Sequence, residues 1–166
     1  MIESHYALSY LVEGAFAGKC IDDVIRNNSV IVCYTVEKRN NMRKYYRVQA
    51  NINLDAIYDN FYRAKQLIKP ETKLMAIVKA DAYGHGAVEV AHVIDDLADA
   101  YGVAILEEGI ELRKAGIKKP ILILGFTTQE QYDAMIEYDI DTAVFQLDMA
   151  QKISATAVAK GKNARI

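Results

Sequence analysis

The 166-residue chain carries almost no excess charge, with 20 Lys and Arg against 22 Asp and Glu. A formal net charge of -2 gives no basic field, which argues against a nucleic-acid partner. No apolar run approaches the roughly 20 residues of a membrane span, so no membrane partner is expected either. The only two cysteines, Cys20 and Cys33, form no metal spacing, and His5 and His92 have no partner at metal-ligand spacing. The cysteines read as ordinary reduced thiols, which points to a cytoplasmic setting. At the N-terminus, MIESHYALSYLVEGAFAGKC lacks the positive start of a secretory leader, and Glu13 interrupts its apolar stretch. The phosphate-binding turns G-x-G-x-x-G and G-x-x-x-x-G-K-[ST] are both missing.

What is present is an ordinary globular composition, 52% apolar and 25% charged, long enough for one domain with a core or a domain plus an appendage. From about residue 46 the chain alternates. Extended apolar segments stand at Leu74–Lys79, Tyr101–Leu106, Ile121–Gly125, Thr142–Phe145 and, barely begun, Ala164–Ile166. Helical spacing fills the gaps. Leu54, Ile57, Tyr58, Phe61 and Ile68 share a face behind Asn53 as N-cap, with Asp55 in the first turn. Ala87, Val90, Ala91, Ile94, Leu97 and Ala98 repeat the spacing, and Glu107–Ala115 forms a shorter helix stopped by Gly116. Thr128 with Gln131 resembles a capping box for a helix to about Tyr138, and a last helix runs from about Leu147 to Lys160, ending at Gly161.

Strands recurring with a helix between them are the mark of parallel βαβ units, whose strands are buried on both faces. That explains why LMAIV and ILIL are continuous apolar runs. Two α/β architectures fit this pattern, an open doubly wound sheet and part of a (β/α)₈ barrel. Residues 1–41 break the rhythm. Tyr6–Ala17 reads as a short helix and Ser29–Val36 as a strand, so 1–41 is taken as an N-terminal extension and 42–166 as the βα part.

The stretch LMAIVKADAYGHG, residues 74–86, carries the chemistry. A lysine at the carboxyl end of an inner parallel strand sits where α/β proteins build active sites. Partial burial penalises the ammonium, and the free amine attacks carbonyls. In the following turn, Gly84 and Gly86 allow close backbone approach, the helix start near Ala87 offers N–H groups, and Tyr83 adds a hydroxyl. Lysine and phosphate site together suggest pyridoxal phosphate. The plainer alternative is a strand-end lysine reaching to water ahead of an ordinary βα turn. His85 reads as loop packing, Asp81 as a side chain fixing the turn through backbone N–H groups, and Glu107 and Glu108 as favourable helix-dipole placement. The 11 tyrosines are scattered, and only Tyr83 is given a role.

The motif VKADAYGHG resembles the cofactor-lysine motif of the alanine racemase family. YRVQANINLDAIYDNF (46–61) and YGVAILEEGIELRKAGIKKPILILG (101–125) look like the segments on either side, and Met42 falls where such a protein normally starts. The resemblance implies a partial (β/α)₈ TIM-type barrel of about the first four βα units, and pyridoxal 5'-phosphate as cofactor. It implies Lys79 as the Schiff-base (internal aldimine) lysine and one of two bases, with Tyr83 bonding the cofactor phosphate. No metal is implied. Alanine would be the substrate and D-alanine for the cell wall the product. The full-length family is expected to be homodimeric, with the second base a tyrosine from the other subunit. The substrate-carboxylate arginine, the stacking histidine, most phosphate donors and the C-terminal domain would all lie beyond Ile166. These 166 residues are therefore expected not to racemise alanine alone. A racemase of serine or another small amino acid, a non-catalytic half-barrel that assembles with a partner chain, and a βα domain without cofactor are the other readings.

Overall fold

The computed structural model describes residues 6–9, 36–37 and 51–166. Strands β1 (Tyr6–Ser9), β2 (Val36–Glu37) and β3 (Asn51–Ile52) come first, and β2 and β3 pair antiparallel as a separate ribbon. Helix α1 (Leu54–Leu67) follows. Asn53 caps it, its Oδ1 accepting from Ala56 N–H at 3.1 Å, and the helix buries Ile57, Phe61 and Ala64. The regular part then runs β4 (Lys73–Ile77), α2 (Ala87–Val93), β5 (Ala100–Val103), α3 (Leu106–Lys114), β6 (Ile121–Ile123), α4 (Tyr132–Glu137), β7 (Asp141–Thr142) and α5 (Leu147–Ala159).

The five-stranded sheet has the order β1-β4-β5-β6-β7, and every pairing in it is parallel. From β4 to β7 the spatial order equals the chain order, so each crossover moves one place in one direction. A doubly wound sheet reverses direction partway and carries helices on both faces. Here the helices gather on one face. Ile57, Phe61, Val90, Ala91, Leu106, Leu112, Met135, Ile136, Met149 and Ile153 all join one buried cluster with Leu74, Ala76, Val78, Tyr101, Val103, Ile121 and Ile123. The alternate strand residues Met75, Ile77 and Ala100 form a second cluster with Leu122, Leu124 and Tyr83, and no residue of α1 to α5 takes part. A sheet with ordered strands, helices outside and a side-chain-filled inner face is a stretch of (β/α)₈ barrel wall. The structure thus settles between the two architectures that sequence left open.

Gly102 makes the inner face fit, since a Cβ there would lie 2.5 Å from Ile77 Cδ1 and 3.3 Å from Leu124 Cδ1. At the opposite end of the strands Arg113 ties the wall together. Its guanidinium donates to the carbonyls of Ile117 (2.9 Å), Lys119 (2.7 Å), Tyr138 (3.0 Å) and Asp139 (2.7 Å). These bonds join the loops that enter β6 and β7. Asp99, just before β5, accepts from the Leu74 N–H at 2.7 Å and from the Lys65 ammonium, locking α1 to the β4–β5 pair. Partial burial acts to raise this carboxyl's pKa, but Lys65 and the Leu74 N–H outweigh it and hold the group below the ordinary aspartate range. On the helix side, the Tyr101 hydroxyl lies 2.8 Å from both the Ala91 carbonyl and the Asp95 carboxylate.

Some elements differ from the sequence expectation. Tyr6–Ser9 is not the start of a helix but a strand beside β4, in the register Tyr6↔Lys73 to Ser9↔Ala76, where pairing to an existing edge overrides helical spacing. Of the strand expected at Ser29–Val36 only Val36 lies among the described residues, in β2. Ala164–Ile166 is not a strand. Arg165 in that segment instead pairs with Asp139 and Asp141 at the start of β7, and Lys162 just before it pairs with Glu137 at the end of α4. The remaining strands are shorter than their apolar runs: Val78, Leu124 and Ala143 each donate one more backbone bond past their strands, while Ile105 and Phe145 lie beyond the pairing and are exposed.

Among the described residues no strand pairs with the outer edge of β7. Large apolar side chains stand exposed just past the strand ends: Ile105 after β5, Phe126 after β6, and Phe145 and Leu147 after β7. The rings of Phe126 and Phe145 meet each other at 6.3 Å between centroids. No described helix is long and apolar enough to cross a membrane.

Candidate active site

The site is built on the end of β4. The ladder continues one residue past the strand, the Val78 N–H donating to the Gly102 carbonyl at 2.9 Å, and Val78 is buried. Lys79 follows at the carboxyl end, half-buried, with β1 on one side of its strand and β5 on the other. Its Nζ lies 6.0 Å from the centroid of the Tyr83 ring, within cation–π range. Tyr83 packs in turn against the inner-face cluster of Met75, Ile77 and Ala100. No ion pair to Lys79 and no hydrogen bond to the Tyr83 hydroxyl forms among the described residues.

The turn after Lys79 is left-handed. Ala80, Asp81, Ala82 and Tyr83 have φ of 52°, 55°, 50° and 56°, and Gly84 continues at 84°. A left-handed turn of residues bearing a Cβ costs roughly 1–2 kcal/mol per residue, so it persists only where its surroundings hold it. The holding contacts are on every side. Ala82 N–H donates to the Val78 carbonyl (2.9 Å), His85 N–H to the Ala82 carbonyl (3.2 Å) and Gly86 N–H to the Asp81 carbonyl (2.9 Å). The Asp81 carboxylate accepts from the Ala87 N–H at 2.8 Å. His85 Nδ1 lies 2.7 Å from the Ala82 carbonyl, a contact that requires the proton on Nδ1. Ala80 N–H donates to Glu108 Oε1 at 2.7 Å, across 28 residues of chain.

Asp81 and His85 therefore fix the turn, as their positions suggested. The helix start is a different matter. The Ala87 N–H, one of those expected to face a phosphate, is already engaged by Asp81. Sequence reasoning missed Glu108, whose tie to Ala80 exceeds a helix-dipole role. Nothing in an acidic pair at a helix start signals a contact so distant in the chain. Among the described residues no group of His, Cys, Asp and Glu could hold a metal ion.

Wall and strand-end amine together define a segment of a (β/α)₈-barrel protein that carries a lysine at the carboxyl end of an inner strand. The family described as "Alanine racemase, N-terminal domain" matches residues 52–166. The chain belongs to this family. The alanine racemase of Desulforamulus reducens is 42% identical over 120 residues, covering 72% of this chain and 32% of that protein. Alanine racemase 2 of Oceanobacillus iheyensis is 45% identical over 123 residues, with 74% and 31% covered. Among solved structures, the alanine racemase of Clostridium difficile 630 in complex with cycloserine superimposes with a TM-score of 0.66 at 43% identity, covering 68% of this chain and 30% of that one. The chain thus spans about a third of the length of these relatives.

Proposed function

We propose that this chain is the cofactor-lysine part of a pyridoxal-phosphate-dependent alanine racemase. Lys79 is the covalent anchor and one of the two bases, and Tyr83 donates its hydroxyl to the cofactor phosphate. The observation that carries this reading is the placement of Lys79: a half-buried amine at the carboxyl end of an inner strand, beside the Tyr83 ring, ahead of a turn held by hydrogen bonds. These residues fit the cofactor, since it needs one amine for attachment and donors for its phosphate. When bound to an amino acid, pyridoxal phosphate draws electrons from the α-carbon and makes its proton removable. The Lys79 amine can take or return that proton on one face only. Inversion needs a second group on the other face, which the family resemblance assigns to a tyrosine of the second subunit in a homodimer.

The edge of β7, unpaired among the described residues, and the exposed Phe126 and Phe145 favour a segment that works packed against further polypeptide. Alone, then, these residues do not interconvert L- and D-alanine at a useful rate. The setting is the cytoplasm, where the product supplies D-alanine for the cell wall. The test is to incubate the chain with pyridoxal phosphate, reduce with borohydride and map the labelled peptide. The label is expected on Lys79 and is expected to disappear in Lys79→Ala. Equal labelling of that variant, or label only on other lysines, would remove Lys79 from its role.

A further inference from the structure

Glu108 lies in the first turn of α3, yet its carboxylate reaches two loops at once. Oε1 accepts the Ala80 N–H at 2.7 Å, and Oε2 accepts the Ala104 N–H at 2.7 Å and, more weakly, the Ile105 N–H at 3.4 Å. Ala80 N–H belongs to the peptide that joins Ala80 to Lys79. A bond to that group fixes the peptide plane on the carboxyl side of Lys79, at the point where the chain enters left-handed φ. The Ala104 N–H belongs to the loop after β5, the neighbouring strand. One side chain therefore couples the exit of the lysine strand to the exit of the next.

The chemistry of the contact is specific to a carboxylate. Both partners are donors, so both oxygens must accept. An amide of the same shape keeps one acceptor and turns an NH₂ group toward the other N–H. A residue present only to favour the helix dipole has no such requirement, and its neighbour Glu107 supplies the comparison. Glu107 carries the same charge in the same turn, but its Oε1 accepts from Gln131 Nε2 at 3.4 Å instead of from the backbone beside Lys79.

We propose that Glu108 is the positioning residue for Lys79, setting the direction of the Lys79–Ala80 peptide and through it the aim of the amine. This rests on the reading of Lys79 as the cofactor lysine, and the test separates the two. Glu108→Gln and Glu107→Gln are made in the 166-residue chain, and amide hydrogen exchange at Ala80 is followed with borohydride trapping of pyridoxal phosphate. Ala80 protection is expected to fall about tenfold or more in Glu108→Gln, the factor carried by one charge-assisted hydrogen bond, and to stay unchanged in Glu107→Gln. Trapping at Lys79 is expected to slow several-fold in Glu108→Gln alone. Equal effects of the two variants would reduce Glu108 to a dipole role and overturn the proposal, as would unchanged exchange and trapping in Glu108→Gln. Should Glu108→Gln fail to fold, Glu108→Asp retains two acceptors on a shorter reach. Loss of Ala80 protection in a folded Glu108→Asp chain supports the proposal, and retained protection with retained trapping overturns it. A chain whose Lys79 takes up no cofactor at all refutes the cofactor-lysine reading, and the proposal with it. Ala80 exchange then reports only whether the brace exists.

Discussion

Replacing Ala80 by glycine should stabilise this protein, although glycine usually does the opposite. Ala80 is exposed, so its methyl packs nothing, and its φ of 52° is left-handed. Removing the Cβ relieves roughly 1–2 kcal/mol of local repulsion. Against this stands the greater freedom of glycine in the unfolded chain, about 0.5–1 kcal/mol. The amide that donates to Glu108 survives the change. A net gain of about 0.5–1 kcal/mol follows, which at a urea m-value near 2 kcal/mol/M moves the midpoint up by roughly 0.3–0.5 M. The control is Ala155→Gly, at an exposed position of the right-handed helix α5. There the same substitution relieves nothing and should cost about 1 kcal/mol. Urea unfolding followed by far-UV circular dichroism measures both. If both variants lose stability at unchanged m-value, the strain assigned to the turn is not there.

Two other outcomes test the wall itself. A Cβ on Gly125 would lie 2.4 Å from the Ala104 carbonyl oxygen, a backbone atom with little room to move. Gly125→Ala is therefore expected to destabilise by about 1–3 kcal/mol, read as a lower thermal midpoint, and an unchanged midpoint would contradict the close approach of the β5 and β6 exits. Asp99 tests the opposite end by pH. Its folded pKa is depressed, so its contribution is present above the unfolded value near 4 and is lost as pH falls through the folded pKa. Asp99→Asn should cost about 1 kcal/mol at pH 7, a partly exposed pair being worth no more, and the gap to the unsubstituted chain should close below about pH 4. A gap that is constant with pH would assign the loss to packing.

Much of the wall was legible because its signals are local. LMAIV and ILIL announce strands buried on both faces, Asn53 marks a helix start through a bond spanning three residues, and the Thr128–Gln131 pair opens a single 3₁₀ turn, Gln129–Gln131, ahead of α4. Ends were less legible. Ile94 and Ala98 carry the helical spacing beyond α2, yet α2 stops at Val93, and the two residues remain buried in the turn that follows. Burial alone cannot tell a residue in an element from one packed just past it. The choice of barrel over doubly wound sheet depends on which face each helix covers, a fact about crossover direction that periodicity does not contain. The family motif implied it. The motif named Lys79 and Tyr83 as candidates, but it did not contain the geometry between them. The left-handed conformation of Ala80 to Tyr83 has no glycine to signal it, and Glu108 meets Ala80 only once two loops are folded side by side.

The strain in that turn is large enough to need a reason. Four consecutive non-glycine residues in left-handed conformation cost roughly 4–8 kcal/mol together, comparable with the whole stability of many domains. Glycines at the exposed positions would remove part of that cost. They would also widen the range of conformations open to the peptide next to Lys79. A Cβ at each position narrows the choice to the one arrangement that Asp81, His85 and Glu108 hold by hydrogen bonds. If Lys79 is the cofactor lysine, that narrowing is what the strain secures, because a fixed peptide aims the amine. Ala80→Gly then separates the two quantities. Its stability should rise while cofactor trapping at Lys79 slows, and a rise in both would mean that the stiffness of the turn contributes nothing to the site.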